Sequence, residues 1–419
     1  MNKQKIILIT AICGLILIFL ATIFYARDQI SFRNFKILLL AGTLIWFIGI
    51  LVFNRMIRRK VDKNYFLNLI IVFLILAGCT NQGNKTEQTS WPVEKAWVWS
   101  EEIGWLRGCN YIPNTAVNQL EMWQEETFDM VTIDRELGWA EELGFNVMRV
   151  YMHSFAWKQD PEGFKKRLEE YLVTSDKYGI YTIFVFFDDC WNENSKPGPQ
   201  PEPATGVHNS RWIQDPSCDL RADTITLYPW LEEYVKDVIQ TFRNDRRILM
   251  WDLYNEPGNM GHHNNSLPLL KNVFRWAREA NPSQPVTSGI WNLELYELNK
   301  LQVENSDIIT YHNYMNQELH QTWIRLLKIH GRPLICTEYL ARQLNSTFEN
   351  ILPMLKKENV GAINWGLVSG RTNTIYAWDT PMPDGGEPET WFCNIFRPDG
   401  KPYSVDEIRI IKQINGVIE

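Results

Sequence analysis

Cysteine is scarce in this chain, at seven of 419 residues. Five of the seven, Cys109, Cys190, Cys218, Cys336 and Cys393, lie beyond position 79, and an odd number without CxxC spacing argues against a disulfide framework or a thiolate metal knuckle. A Cys190 to Cys218 bridge across a long loop stays open as an alternative. Cys109 and Cys336 sit inside apolar runs and read as unpaired small apolar residues. Histidine is equally sparse, and the adjacent pair His262 and His263 has no carboxylate or thiol at companion spacing, so no zinc site is expected. Positive charge is lacking too: the chain carries a net −7, and beyond residue 78 there are 32 basic against 47 acidic side chains. Such an acidic body would repel nucleic-acid phosphates. There is no internal repeat and no separate C-terminal module.

Long apolar runs are confined to the N-terminus, at Ile6 to Tyr25, Ile37 to Phe53 and Tyr65 to Ala77. The first two approach the roughly 20 residues that span a hydrocarbon core, and the third has the length of a signal segment. The basic cluster RMIRRKVDK between the second and third is expected to stay cytoplasmic, which sends the chain outward at the third. That run ends in LAGCT and is followed by the polar stretch NQGNKTEQTS; it resembles the lipobox of bacterial lipoproteins. The resemblance implies lipidation of Cys79, a membrane anchor, and a catalytic body outside the cytoplasm in a bacterial cell envelope. An ordinary transmembrane helix with a small-residue end is the alternative. The expected organisation is 1–60 with two transmembrane segments, or an extension ahead of a true start at Val61, then 61–79 as signal, 80–90 as linker and 91–419 as body.

Within the body, eight short β-rich runs alternate with helix-period segments: WLRGCNY, NVMRVYM, YTIFVFF, ILMWDLY, PVTSGI, DIITYHNY, RPLICTEY and GAINWGLV. Several are too continuously apolar to leave one face wet, so they call for cover on both sides. The intervening segments supply it. Leu231, Val235, Val238 and Phe242 recur along one helical face, and Ile351 and Leu355 face away from Lys357. Eight strands alternating with helices imply a closed parallel sheet, a (β/α)8 TIM barrel. Active sites in this architecture lie where strands end. The two longest loops, Cys190 to Asp223 and Ser369 to Tyr403, follow the third and eighth strands and should rise on that face.

The stretch WDLYNEPGN places Asn255 and Glu256 at the tip of the fourth strand, because Pro257 cannot extend a sheet ladder. Glu338 ends the seventh strand, across the barrel mouth. Hydrolysis of a glycosidic bond with retention needs two carboxyls about 5 Å apart, one as nucleophile and one as acid. Arg149 lies inside the apolar strand NVMRVYM, where a guanidinium needs an anion beside it. His312 and Tyr314, two apart, should share one side of the sixth strand.

With NEP, HNY, TEY and NWG in this order, the sequence most resembles glycoside hydrolase family 5 of clan A, over Trp105 to Tyr403. The resemblance implies Glu256 as acid/base and Glu338 as nucleophile, with Arg149 keeping the nucleophile ionised. It implies that Asn255 bonds the sugar 2-hydroxyl, His312 touches substrate, Tyr314 bonds the nucleophile and Trp365 stacks on a pyranose face. Packing or solvated-loop roles are the plain alternatives for each. The family often has a histidine ending strand three, where FVFFDDCWN here offers Asp188, Asp189 and Trp191. Trp191, Trp212, Trp291 and Trp378 fall near strand ends and could line subsites or pack. The expected activity is cleavage of β-linked oligo- or polysaccharides with no cofactor. An exo-acting β-glycosidase or transglycosylase, and a non-catalytic glycan-binding lipoprotein, are the competing readings.

Overall fold

The computed structural model describes residues 90–418, with positions 38, 42, 45 and 46 before them. The chain divides into two compact units, Met1–Glu87 and Gln88–Glu419. The three apolar N-terminal runs, Val61, Cys79 and nearly all of the 80–90 linker lie outside the described residues. Among the described residues no helix is long and apolar enough to cross a membrane.

In the second unit eight parallel strands form one sheet: β1 (Arg107–Tyr111), β2 (Val147–Tyr151), β3 (Tyr181–Asp188), β4 (Ile248–Asn255), β5 (Val286–Thr287), β6 (Ile309–His312), β7 (Leu334–Glu338) and β8 (Gly361–Trp365). Their order, β5-β4-β3-β2-β1-β8-β7-β6, is that of a barrel opened between β5 and β6. That seam is bridged at Ile290 and Tyr311, where Ile290 N donates to Thr310 O and His312 N to Ile290 O, each at 2.9 Å. A (β/α)8 barrel results; each of the eight predicted runs holds one strand, and only β3 and β4 extend past theirs, by one residue each, to Asp188 and Asn255.

The strand residues are buried apart from the half-buried Arg107 and Tyr181, which is why the runs read as continuously apolar. Helix Thr224–Phe242 starts on an Asp223 cap and buries Leu231, Val235, Val238 and Phe242. Helix Phe348–Lys357 is capped by Thr347 and buries Ile351 and Leu355, with Lys356 and Lys357 in its last turn opposing the dipole. A helix preceding the barrel, Val93–Ile103, packs Ala96 with Val147, Ile183, Met250, Ile335 and Ile363 near the end where the strands begin. That end is therefore plugged. Chemistry is left to the opposite mouth.

Candidate active site

At the mouth, β4 stops at Asn255, two residues before Pro257. Glu256 turns away from the ladder at φ +44°, a left-handed conformation that disfavours a side chain by roughly 1–3 kcal/mol and persists where the surroundings impose it. The imposing group is Asp189, at the end of β3. Its Oδ2 accepts from the Gly258 amide at 2.7 Å and from Ser266 Oγ at 2.5 Å, and its Oδ1 from Tyr254 and Arg221. The acidic pair that takes the place of a strand-three histidine thus divides its work. Asp189 fixes the loop that carries Glu256.

Asp188 fixes Asn255. It accepts from Asn255 Nδ2 at 2.9 Å, Trp212 Nε1 at 2.7 Å and the Cys190 amide at 2.8 Å. Burial pushes its carboxyl up to about 7, against the pull of those bonds. A raised value means that the fold holds the proton more tightly than the unfolded chain. The stability contributed is therefore fully present below the ordinary value of 3.8 and lost as pH rises through about 7. Asp188→Asn, which cannot titrate there, should gain stability relative to the parent as pH rises from about 4 to about 7. Urea midpoints of the two proteins across that range check it; an offset independent of pH would contradict it.

Arg149 is the hub. Fully buried, it donates from Nε to Asp252 (2.9 Å), from Nη2 to Asn255 Oδ1 (2.8 Å), and from Nη1 to Asn110 Oδ1 (2.7 Å) and Glu338 Oε1 (2.9 Å). Burial works against its charge, but Tyr151, Asp252 and Glu338 outweigh burial and raise its pKa above the ordinary guanidinium value. The anion that an arginine in a strand required is thus supplied twice, by Asp252 and by Glu338.

Glu338 also accepts from Tyr151 OH (2.7 Å) on Oε1 and from Tyr314 OH (2.6 Å) on Oε2. Across the mouth, Glu256 Oε1 lies 2.7 Å from His312 Nδ1, and Oε2 accepts from Asn259 Nδ2 (2.5 Å) and Cys190 Sγ (3.3 Å). A register shift between Tyr311 and His312 pairs His312 with Glu338 on β7, and such bulges re-aim side chains beside active sites. His312 Nδ1 is also 3.4 Å from Glu338 Oε2. Burial pushes its pKa down to about 4, so the ring is neutral at pH 7, and Nδ1, which faces oxygens of both glutamates, is the nitrogen placed to carry the proton. Burial likewise raises the Glu256 pKa, opposed by the bonds from Cys190 and Asn259.

One carboxylate oxygen each from Glu256 and Glu338 and a ring nitrogen of His312 lie within 4.8 Å of one another. This is a donor set that a divalent cation could use. However, the Arg149 charge 2.9 Å from Glu338 opposes a second cation there.

A cleft of about 650 Å³ surrounds these groups, and Asn255, Glu256, His312, Tyr314 and Glu338 line it. So do the tryptophans named from the sequence. Trp365 packs edge-on to Tyr151 and Trp212, at 5.7 and 5.5 Å between centroids. Trp191 lines the cleft at φ +69°, and Trp291, also in the lining, anchors Nε1 on Pro257 O at 3.1 Å. The Cys190 to Cys218 bridge is not formed. Cys190 Sγ is turned to Glu256 and Asn255, and Cys218 begins a 3-10 turn with its amide on Glu193 O.

Sequence reasoning passed over Tyr151, Asp252, Asn110, Cys190 and Asn259. Tyr151 carried a signal, since it lies two residues from Arg149 and shares its side of β2. Asp252, a lone acid in an apolar strand, carried another. Cys190 and Asn259 are brought to Glu256 by loops and had none.

Paired carboxylates at the mouth of a (β/α)8 barrel are an arrangement suited to hydrolysis of acetal linkages, and comparison with known proteins gives the family. The model of the cellulase family, glycosyl hydrolase family 5, matches residues 114–371, more than half of the chain, and the chain belongs to that family. No curated protein matches it. Among solved structures, the endo-1,4-β-D-mannanase of Thermotoga petrophila RKU-1 is 16% identical with a TM-score of 0.50, covering 75% of this chain and 100% of that one. An exo-β-1,4-mannosidase from Opitutaceae bacterium strain TAV5 is 15% identical with a TM-score of 0.54, over 75% and 59%. A GH5_18 protein of Streptomyces cattleya, solved with GlcNAc, is 12% identical with a TM-score of 0.50, over 74% and 79%. At such identities these likenesses speak for the fold.

Proposed function

We propose that the protein is a retaining glycoside hydrolase acting on β-linked glycans of mannan, glucan or xylan type by double displacement. The observation that carries this reading is the approach of the Glu256 and Glu338 oxygens to within 4.8 Å. Retaining enzymes hold their carboxyls about 5–5.5 Å apart, whereas inverting enzymes need about 6.5–9.5 Å to seat a water between them.

In the first step a Glu338 oxygen bonds to the anomeric carbon as the carbon–oxygen bond to the leaving group breaks. Glu256 gives its proton to the departing oxygen. In the second, Glu256 takes a proton from water, the water oxygen bonds to the anomeric carbon, and Glu338 is released as carboxylate. The burial that raises the Glu256 pKa supports its starting as an acid. Tyr151, Tyr314 and Arg149 surround Glu338 with donors that orient it. Asn255 has its oxygen on Arg149 and Tyr151 and one amide hydrogen on Asp188. Its other amide hydrogen, turned toward Cys190 Sγ, is the one a sugar hydroxyl could take. A purely binding role would not call for two facing carboxyls of which one has a raised pKa.

The test is stereochemical. Proton NMR of an aryl β-glycoside digest should show the β-anomer of the free sugar first and the α-anomer only as mutarotation proceeds. Initial α-sugar would overturn the reading.

A further inference from the structure

The loops that follow β3 and β8 are joined to each other. Asn209 N donates to Thr372 O at 2.8 Å, Met382 N to Gly206 O at 3.0 Å and Asn373 Nδ2 to Ala204 O at 2.9 Å. Gly206 has φ +67°, and a Cβ built on it would lie 1.7 Å from Met382 O, so the two backbones meet where only glycine fits. Both loops are also tied to the segment after β1. Arg371 N donates to Asn114 O at 3.1 Å, Asn118 Nδ2 to Arg211 O at 2.9 Å and Gln119 Nε2 to Ile213 O at 2.6 Å. A continuous rim therefore stands over the sector from β8 through β1 to β3.

Little space is left behind that rim. The volume bordered by Asn110, Trp212, Trp365, Thr372 and Asn394 is about 10 Å³, room for about one water and none for a pyranose. On the other side the cleft runs past Glu256 to Trp291, Trp323 and the exposed Met260, Met315 and Leu319. The direction of substrate follows from the double displacement proposed above, on which this inference rests. The anomeric carbon faces Glu338 with its ring toward Trp365, and the leaving oxygen faces Glu256. The non-reducing side of the glycan thus faces the rim, and the leaving group has the open side.

We propose that the protein is exo-acting: it removes single monosaccharides from the non-reducing end of β-linked oligosaccharides, with the joined 204–209 and 372–382 segments as the stop that sets the length released. His208 adds a recognition group to this stop. Its Nδ1 lies 2.7 Å from Tyr376 O, a carbonyl that can only accept, so the ring proton is on Nδ1 and Nε2 is an acceptor. The ring lines the cleft beside Trp191 and Trp378, where it can receive a hydroxyl of the terminal sugar.

The experiment digests β-1,4-linked pentasaccharides of mannose, glucose and xylose, each labelled at the reducing end, with the full chain, alongside the 4-nitrophenyl β-glycosides of the same sugars. The expected products at low conversion are unlabelled monosaccharide and labelled tetrasaccharide. Unlabelled di- or trisaccharide at that stage would overturn the exo assignment, and if the nitrophenyl glycosides are still cleaved the hydrolase reading stands. No turnover of any of these substrates would overturn both. Gly206→Val must part the two loops, and the ratio of released disaccharide to monosaccharide should rise about ten-fold in a folded variant. An unchanged ratio there would remove the loops from the specificity; if the variant does not fold, the product pattern of the parent still decides the exo assignment.

Discussion

Glu338→Ala is expected to lower kcat/KM for aryl β-glycosides by about 10⁴-fold or more, the scale on which removing a covalent nucleophile acts in other hydrolases. Substrate binding should change little, because the groups that line the cleft remain. The loss is specific in kind. Without the carboxylate no glycosyl-enzyme can form, and a small cavity opens between the Tyr314 and Tyr151 hydroxyls that now hold its two oxygens. Azide fits such a space and carries its own electron pair. It should restore cleavage of substrates with good leaving groups and give the α-glycosyl azide, since it attacks from the face the glutamate occupied. Unaltered turnover in the variant, or a β-azide product, would refute Glu338 as nucleophile. Glu338→Ala also leaves Arg149 with Asp252 as its remaining carboxylate partner, so circular dichroism of the variant should accompany the kinetics.

The barrel was legible in the sequence because parallel strands buried on both faces leave unbroken apolar runs, and each of the eight runs holds one strand. The tips of β4 and β7 were legible for a different reason. Proline stops a ladder, so NEP marks an end, and Glu338 follows the last apolar residues of its strand. Arg149 announced an anion by its own burial cost and the family resemblance named Glu338, but Asp252 went unnamed, since its approach depends on how strands two and four are placed around a closed sheet. Long-range placement was the common obstacle. His312 was expected to touch substrate; a register shift on β6, invisible in the spacing, brings it to 2.7 Å from Glu256. Cys190 read only as the possible half of a bridge to Cys218. Its position 3.3 Å from the Glu256 carboxylate arises from a loop whose course local sequence does not specify. The two long loops were recognisable as rising on the active-site face, but not as joined to each other.

Glu256→Ala should divide substrates by leaving group. For sugars carrying an alkyl alcohol or another sugar, the departing oxygen needs a proton, and kcat/KM is expected to fall about 10²- to 10⁴-fold. Dinitrophenolate leaves without one, so the first step with a dinitrophenyl glycoside should proceed at nearly the parental rate. The second step then lacks its base, and the glycosyl-enzyme on Glu338 should accumulate, visible as a burst of phenolate and as added mass on the intact protein. Azide here attacks the glycosyl-enzyme from the side opposite Glu338 and should yield the β-glycosyl azide, the anomer opposite to that expected for Glu338→Ala. The pH profile gives an independent check. Burial raises the Glu256 pKa and catalysis uses the protonated form, so parental kcat/KM toward poor leaving groups should decline as pH rises through that raised value. In Glu256→Ala that alkaline limb should vanish. If it persists, another group supplies the proton, and His312 is the nearest candidate at 2.7 Å from Glu256. Its pKa near 4, however, leaves little of the charged acid at neutral pH, which is the physical ground for assigning the proton to the glutamate.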